Sequence, residues 1–259
     1  MGQDQAGATA GDGMKIMRTF PIIAFACAAL LAVPQLSMAE SAELPLRFSA
    51  SPGNMQSVRQ GARDFMNYCA GCHTLKYLRY NRLGRDAGLS DDVLTENLIF
   101  PVGLKPTSHV LNGMTEQEGT TFFGKAPPDL SLEAEFRGAK WIYNYLHSFY
   151  LDPSRPVGVN NPLIPNVAMP NVLGHLQGWQ QRVEGGHEGV EFKRVSDGTM
   201  TPAQFDSFVA NITNFLAYAA TPEHHTRVTI APFVLFYLLI LAGLCYLVKH
   251  EFWKDVHKS

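Results

Sequence analysis

Cysteine is scarce. Only four occur in 259 residues, at positions 27, 69, 72 and 245. Cys27 and Cys245 lie in strongly apolar stretches, which leaves Cys69 and Cys72 for chemistry in the polar body of the chain. Two cysteines cannot form a disulfide framework, so a small stapled secreted domain is excluded. A basic excess is also missing. Lys and Arg total 21 against 23 Asp and Glu, a formal net charge of −2. The chain therefore lacks the electrostatic footprint of a nucleic-acid binder. Internal repeats and low-complexity tracts are absent. What remains is length enough for one sizeable domain, or two small ones, with targeting and anchoring segments.

What is present begins with five residues, Cys69-Ala70-Gly71-Cys72-His73. Two cysteines two residues apart with histidine next form the attachment pattern of a c-type haem. Each thiol can add across one vinyl group of the porphyrin. The histidine is then held under the iron as its proximal ligand. Two other uses of the pair are weaker. Tetrahedral zinc needs two further ligands at matching spacing, and no second cysteine pair exists outside the apolar stretches. A thioredoxin-like pair needs strand–helix–strand flanks, whereas these flanks read as helix and loop.

The compartment fits a haem. Residues 1–13 are small, polar and set aside as an extension. Lys15 and Arg18 then precede a short apolar core, Pro21 to Val33, and Ser37-Met38-Ala39 suits signal cleavage. Residues 1–39 are read as an extension plus a cleaved signal peptide, and 40–226 as a periplasmic body. Val228 to Val248 is uncharged and apolar, long enough to cross a bilayer. A span over 227–249 leaves 250–259 as a tail. Lys249, Lys254 and Lys258 follow the apolar run Val228–Val248, and the positive-inside bias puts that tail in the cytoplasm. The haem domain is thus expected in the periplasm, on a single-pass anchor in the inner membrane.

Along the body, Ser57 is a candidate cap for a helix through Val58, Ala62, Phe65 and Met66 into Cys69. Ser90 caps a second, with Asp91 and Asp92 in its first turn and Val93, Leu94 and Leu98 facing inward. Phe100 to Ser131 is rich in Pro and Gly and reads as a long ordered loop. Trp141, Ile142, Tyr145, Leu146 and Phe149 form a helical stripe, read as core packing, as cofactor wall, or as both together. Five prolines between Asp152 and Pro170 exclude a regular element there. Gly185-Gly186 marks a turn. Thr201, Pro202 and Gln204 open the clearest helix, whose apolar face runs from Phe205 to Leu216 and which Pro222 ends.

A six-coordinate haem iron needs a second axial ligand. Methionine sulfur suits an electron carrier, because it raises the potential and closes the iron to oxygen. Met55, Met66, Met114, Met169 and Met200 are available, with His109, His147, His175 and His187 as rivals. Met66 is too close to Cys69 on one helix to reach the far face. Met169 stands in a loop stiffened by Pro170, which leaves little entropy to lose. Spacing alone does not decide between the remaining candidates.

Four stretches occur in an order that resembles the cytochrome c1 family, in its proteobacterial form. They are Cys69–His73; Ala126-Pro127-Pro128-Asp129-Leu130-Ser131; Asn166-Val167-Ala168-Met169-Pro170; and Asp197-Gly198-Thr199 leading to Ala219-Ala220-Thr221-Pro222-Glu223-His224. A C-terminal anchor with a basic tail completes the likeness. The resemblance implies an all-α fold: a class I cytochrome c-like haem domain with long loops, plus one transmembrane helix. It implies one covalent haem c held by Cys69, Cys72, His73 and Met169. It pairs Arg137 with a haem propionate and makes Pro127 and Pro128 part of the pocket wall. No residue is expected to be catalytic, since quinol oxidation falls to other subunits. The implied partners are cytochrome b, a Rieske iron–sulfur protein as donor and a soluble or membrane-bound cytochrome c as acceptor, within a dimeric complex. Two departures stand out: Asn171 follows Pro170, and Val159-Asn160-Asn161-Pro162 lacks the aromatic pair of mitochondrial forms. The acidic groups Asp91/Asp92, Glu116/Glu118 and Glu133/Glu135 could steer a basic partner or simply be a solvated face. Another anchored monohaem carrier, or a haem sensor with an open sixth site, are the competing functions.

Overall fold

The structure is a computed structural model that describes residues 45–183 and 191–254. The expected leader, the Gly185-Gly186 turn, His187 and the end of the tail lie outside the described residues.

The elements follow in order as α1 (Met55–Tyr68), β1 (Leu75–Arg79), α2 (Tyr80–Ala87), α3 (Asp91–Asn97), β2 (His109–Val110) and α4 (Glu116–Phe123). Then come α5 (Glu133–Phe136), α6 (Ala139–His147), β3 (Tyr150–Leu151), β4 (Val159–Asn160) and α7 (Gly174–Gln177). The chain closes with β5 (Gln180–Val183), β6 (Glu191–Arg194), α8 (Pro202–Ala220) and α9 (His224–Trp253). The architecture is mostly helical. The strands form three antiparallel pairs, β1–β2, β3–β4 and β5–β6, too small for a core of their own.

The core forms where α1 crosses α8. Val58, Ala62 and Phe65 meet Val209, Ile212 and Phe215, all buried. The Phe65 and Phe215 rings stand 5.5 Å apart. Gly61 is the point of closest approach: a β-carbon there would lie 1.9 Å from the Asn211 carbonyl oxygen.

Local signals placed several boundaries. Thr201 accepts from Gln204 N while Gln204 accepts from Thr201 N, a full capping box on α8. Ser90 accepts from Val93 N at the start of α3. Four expectations are corrected. Asn54, not Ser57, caps α1 by accepting from Ser57 N. Ser57 is buried and bonds across to α8, donating to Asn211 and accepting from Asn214. Val93 faces out, while Leu94 and Leu98 face in. Phe100–Ser131 is not one loop, since it contains β2 and α4, the latter with its own capping box between Thr115 and Glu118. Asp152–Pro170 does hold a regular element: β4 falls between Pro156 and Pro162, keeps its N–H groups and pairs with β3, and Asn161 bridges Ile164.

Helix α9 is long and apolar enough over Thr226–Trp253 to cross a membrane, and its apolar side chains are exposed. Pro232 sits within it without ending it. The corner between α8 and α9 is braced from α2. Arg82 Nε donates to Asp86, Nη1 to Glu223, and Tyr218 donates to Asp86 as well.

Candidate functional site

Helix α1 ends where its backbone tightens. The amides of Cys69 and Ala70 both bond Phe65 O, and that of His73 bonds Cys69 O. Residues 69–73 therefore make one extra turn beneath a cavity of about 400 Å³, a volume typical of small-molecule and cofactor sites. Every residue that the family resemblance assigned to the haem site lines this one cavity: Cys69, Cys72, His73, Pro127, Pro128, Arg137 and Met169. The rest of the wall is mostly apolar, with Phe65 from α1, Ile142 and Leu146 from α6, and Ile212 and Leu216 from α8, while Lys125 and Glu133 add charge to it. The aromatic stripe is thus both core and wall.

His73 is buried, and burial lowers its pKa, which favours the neutral imidazole. Its Nδ1 lies 2.8 Å from Pro128 O. A carbonyl only accepts, so this contact puts the proton on Nδ1 and leaves a lone pair on Nε2. Burial also pushes the Cys69 thiol up to about 12 and raises that of Cys72. Burial thus favours the protonated thiol at both positions. Both sulfurs are unpaired. Among the described residues, no group of three or more His, Cys, Asp and Glu could hold a metal ion.

Met169 lines the same cavity. Tyr145 donates its hydroxyl to Met169 Sδ at 3.5 Å. Burial raises the Tyr145 pKa, so the donor stays neutral. The loop before Met169 is held by two asparagines. Asn160 Oδ1 accepts from Asn161 N and Asn166 N, and Asn161 Nδ2 donates to Tyr145 O. Asn166 adopts a left-handed φ of 63°, which asparagine tolerates better than most residues. The stretch that departs from the mitochondrial pattern is thus the stretch that clamps the loop. The sequence did not single out Tyr145 as a partner of Met169, nor Asn160 and Asn161 as clamps. The hint available was an Asn-Asn-Pro triplet, a turn signal.

The rival ligands lie elsewhere. Among the described residues, His73 and Met169 are the only histidine and methionine that line the cavity. His147 is engaged by Tyr143 O and Asp206, and His175 stacks on Tyr68. At the rim, Arg137 Nε is 2.6 Å from Glu133 and its guanidinium sits 4.4 Å over the Trp141 ring. Its terminal nitrogens have no hydrogen-bond partner among the described residues and remain open to a carboxylate. Glu118 is taken by the Thr115 cap and Glu133 by Arg137, so two of the six acidic residues already serve local structure.

The donor set lining the cavity is one imidazole nitrogen, one thioether sulfur and two thiols, in a largely apolar surround. It fits a covalently attached haem rather than a hard cation, which takes oxygen ligands.

Comparisons with known proteins point the same way. The sequence model of the Cytochrome C1 family matches residues 104–256. Cytochrome c1 of Allochromatium vinosum is 45% identical over 249 residues, 93% of this chain and 98% of its own length. The ammonia monooxygenase gamma subunit of Nitrosomonas europaea is 38% identical over 237 residues, 91% of this chain and 99% of its own. Cytochrome c1 of Rhodospirillum rubrum is 25% identical over 232 residues, covering 77% and 81%.

Proposed function

The chain belongs to the cytochrome c1 family, and from that premise we propose that it is the membrane-anchored c-type cytochrome of a ubiquinol–cytochrome c reductase complex. In this reading it takes single electrons from a Rieske iron–sulfur protein, beside cytochrome b, and hands them to a cytochrome c. The observation that carries the proposal is the convergence of Cys69, Cys72, His73 and Met169 on one apolar cavity.

When bound, haem supplies a one-electron redox couple. The residues around it have separate tasks. Cys69 and Cys72 would tie the group to the end of α1. His73 presents Nε2, because Pro128 O holds its other nitrogen. Met169 would supply a soft sulfur donor to the iron, and Tyr145 donates a hydrogen bond to that sulfur. Ile142, Leu146, Ile212 and Leu216 exclude water, which limits the solvent reorganisation accompanying each electron. Arg137 offers a fork to a propionate at the rim. Helix α9 spans the inner membrane with its lysines inside, and the haem domain stands in the periplasm.

The similarity to an ammonia monooxygenase gamma subunit supports a second assembly for the same site. Purification of the full chain from membranes separates the two. The proposal expects cytochrome b and a Rieske protein to accompany it, a pigment that survives acid-acetone extraction, no carbon monoxide binding by the reduced form, and reduction by quinol. A chain that arrives without those two partners, or with extractable pigment, refutes it.

A further inference from the structure

The contact that orients His73 is made by a residue that cannot hold itself. Pro127 and Pro128 have no N–H, so this segment cannot anchor itself through its own amides. On one side α4 packs against it so closely that a β-carbon on Gly119 would lie 2.5 Å from Pro127 Cδ. On the other side the next residue, Asp129, does the holding. Its Oδ2 accepts from Thr74 Oγ1 at 2.6 Å and from Lys76 N at 2.8 Å. Its Oδ1 accepts from Ser131 N at 3.0 Å. Leu130 N donates to Thr74 O, and Tyr77 N donates to Ser131 Oγ. Residues 74–77 are thereby seamed to residues 129–131. His73 precedes one strip and Pro128 precedes the other.

We propose that Asp129 is a positioning residue for the proximal ligand: by seaming residues 74–77 to its own segment, it fixes Pro128 O against His73 Nδ1 and so sets the donor strength of the imidazole. The proposal rests on the haem reading above. A firmly held carbonyl draws the Nδ1 proton and makes Nε2 a stronger donor, which favours the oxidised iron. Loosening the seam weakens that pull and favours the reduced iron.

The test uses the haem-loaded full chain in detergent. Covalent haem is first confirmed in the wild type as pyridine haemochrome. Asp129→Asn and Thr74→Val are then titrated potentiometrically, with Thr74→Ser as the rescue because it keeps the hydroxyl. Both disrupting variants are expected to shift the reduction equilibrium toward the reduced form by roughly three- to tenfold, the upper figure being about 59 mV for one electron. Their low-spin ferric resonance should change, and Thr74→Ser should match the wild type. Unchanged potential and resonance in Asp129→Asn and Thr74→Val overturn the proposal, whatever their melting temperatures. If Asp129→Asn does not accumulate, the Thr74 pair decides by the same criterion. A wild type without covalent haem refutes the underlying haem reading instead, and is recognised before any variant is made.

Discussion

Gly61→Ala should loosen the haem domain although it adds a single methyl group in a helix that would otherwise welcome it. The new carbon would lie 1.9 Å from Asn211 O, 2.5 Å from Asn211 C and 2.9 Å from Phe215 Cβ. Nonbonded carbon contacts are optimal near 3.5–4.0 Å, so the shortfall exceeds an ångström. The obstacle is backbone of α8, not the tip of a flexible side chain, so α1 and α8 must separate. Overpacking of this kind costs about 3 kcal/mol at the upper end of its usual range. Replacing glycine within a helix returns about 1 kcal/mol. The net loss is about 2 kcal/mol, or roughly 4–8 °C in Tm for a domain of this size. A thermal melt of the haem-loaded chain, followed by Soret absorbance, measures it. Gly53→Ala, where nothing lies within 4 Å, serves as the control and should barely move. A Gly61→Ala protein that melts with the wild type or above it refutes the close crossing of α1 and α8.

Other variants test the site more directly. Met169→Leu nearly keeps the side-chain volume but removes the sulfur. It should retain covalent haem, lower the potential by at least tenfold in equilibrium (about 59 mV) and bind carbon monoxide when reduced; failure to bind it would free Met169 of its assigned role. Tyr145→Phe deletes a hydrogen bond with a net contribution of about 0.5–1.5 kcal/mol. The Met169 side should then open roughly two- to tenfold more often, read as the rate of cyanide binding to the oxidised protein; an unchanged rate contradicts the Tyr145–Met169 contact. Asp64 is a buried carboxyl whose pKa is raised above the ordinary 3.8 by burial, with Arg63 pulling it down. A raised folded-state value weakens the fold at pH above the ordinary one and has no effect below it. Asp64→Asn should therefore raise the urea midpoint at pH 7, and the gain should vanish below about pH 3.8; a gain that persists at low pH would refute burial as its cause.

How much of this was legible in the sequence depended on range. The α8 capping box, the Ser90 cap and the apolar run of α9 are local signals, and each found its element. Helix α4 was missed although Thr115 and Glu118 spell out a capping box. Its single buried residue is Gly119, so no apolar stripe announced it. Ser57 misled because a serine can cap a helix or bond across one, and here Asn211 and Asn214 supply the partners from 154 and 157 residues away. The cavity itself was legible as a list of residues through the family resemblance. Its supports were not. Tyr145 reaches Met169 across 24 residues, and Thr74 reaches Asp129 across 55. Nothing in either local sequence names the other end.

Those supports also divide the site mechanically. The histidine side is tied to the end of α1, seamed to the Asp129 segment by hydrogen bonds through carboxylate and backbone, and backed by α4 at Gly119. The methionine side is an irregular loop, and its order depends on two asparagine side chains and one tyrosine hydroxyl. Each of those bonds contributes about 1 kcal/mol net, and none adds a covalent tie. When the fold loosens, the sulfur side should let go first, while the imidazole stays on its carbonyl. Helix α8 extends this stiffness toward the membrane. It offers Ile212 and Leu216 to the cavity and ends at a corner where Arg82 grips Glu223 beside the start of α9. A flexible tether would let the haem domain wander over many ångströms. The Arg82 contacts to Asp86 and Glu223 instead brace that corner against such motion.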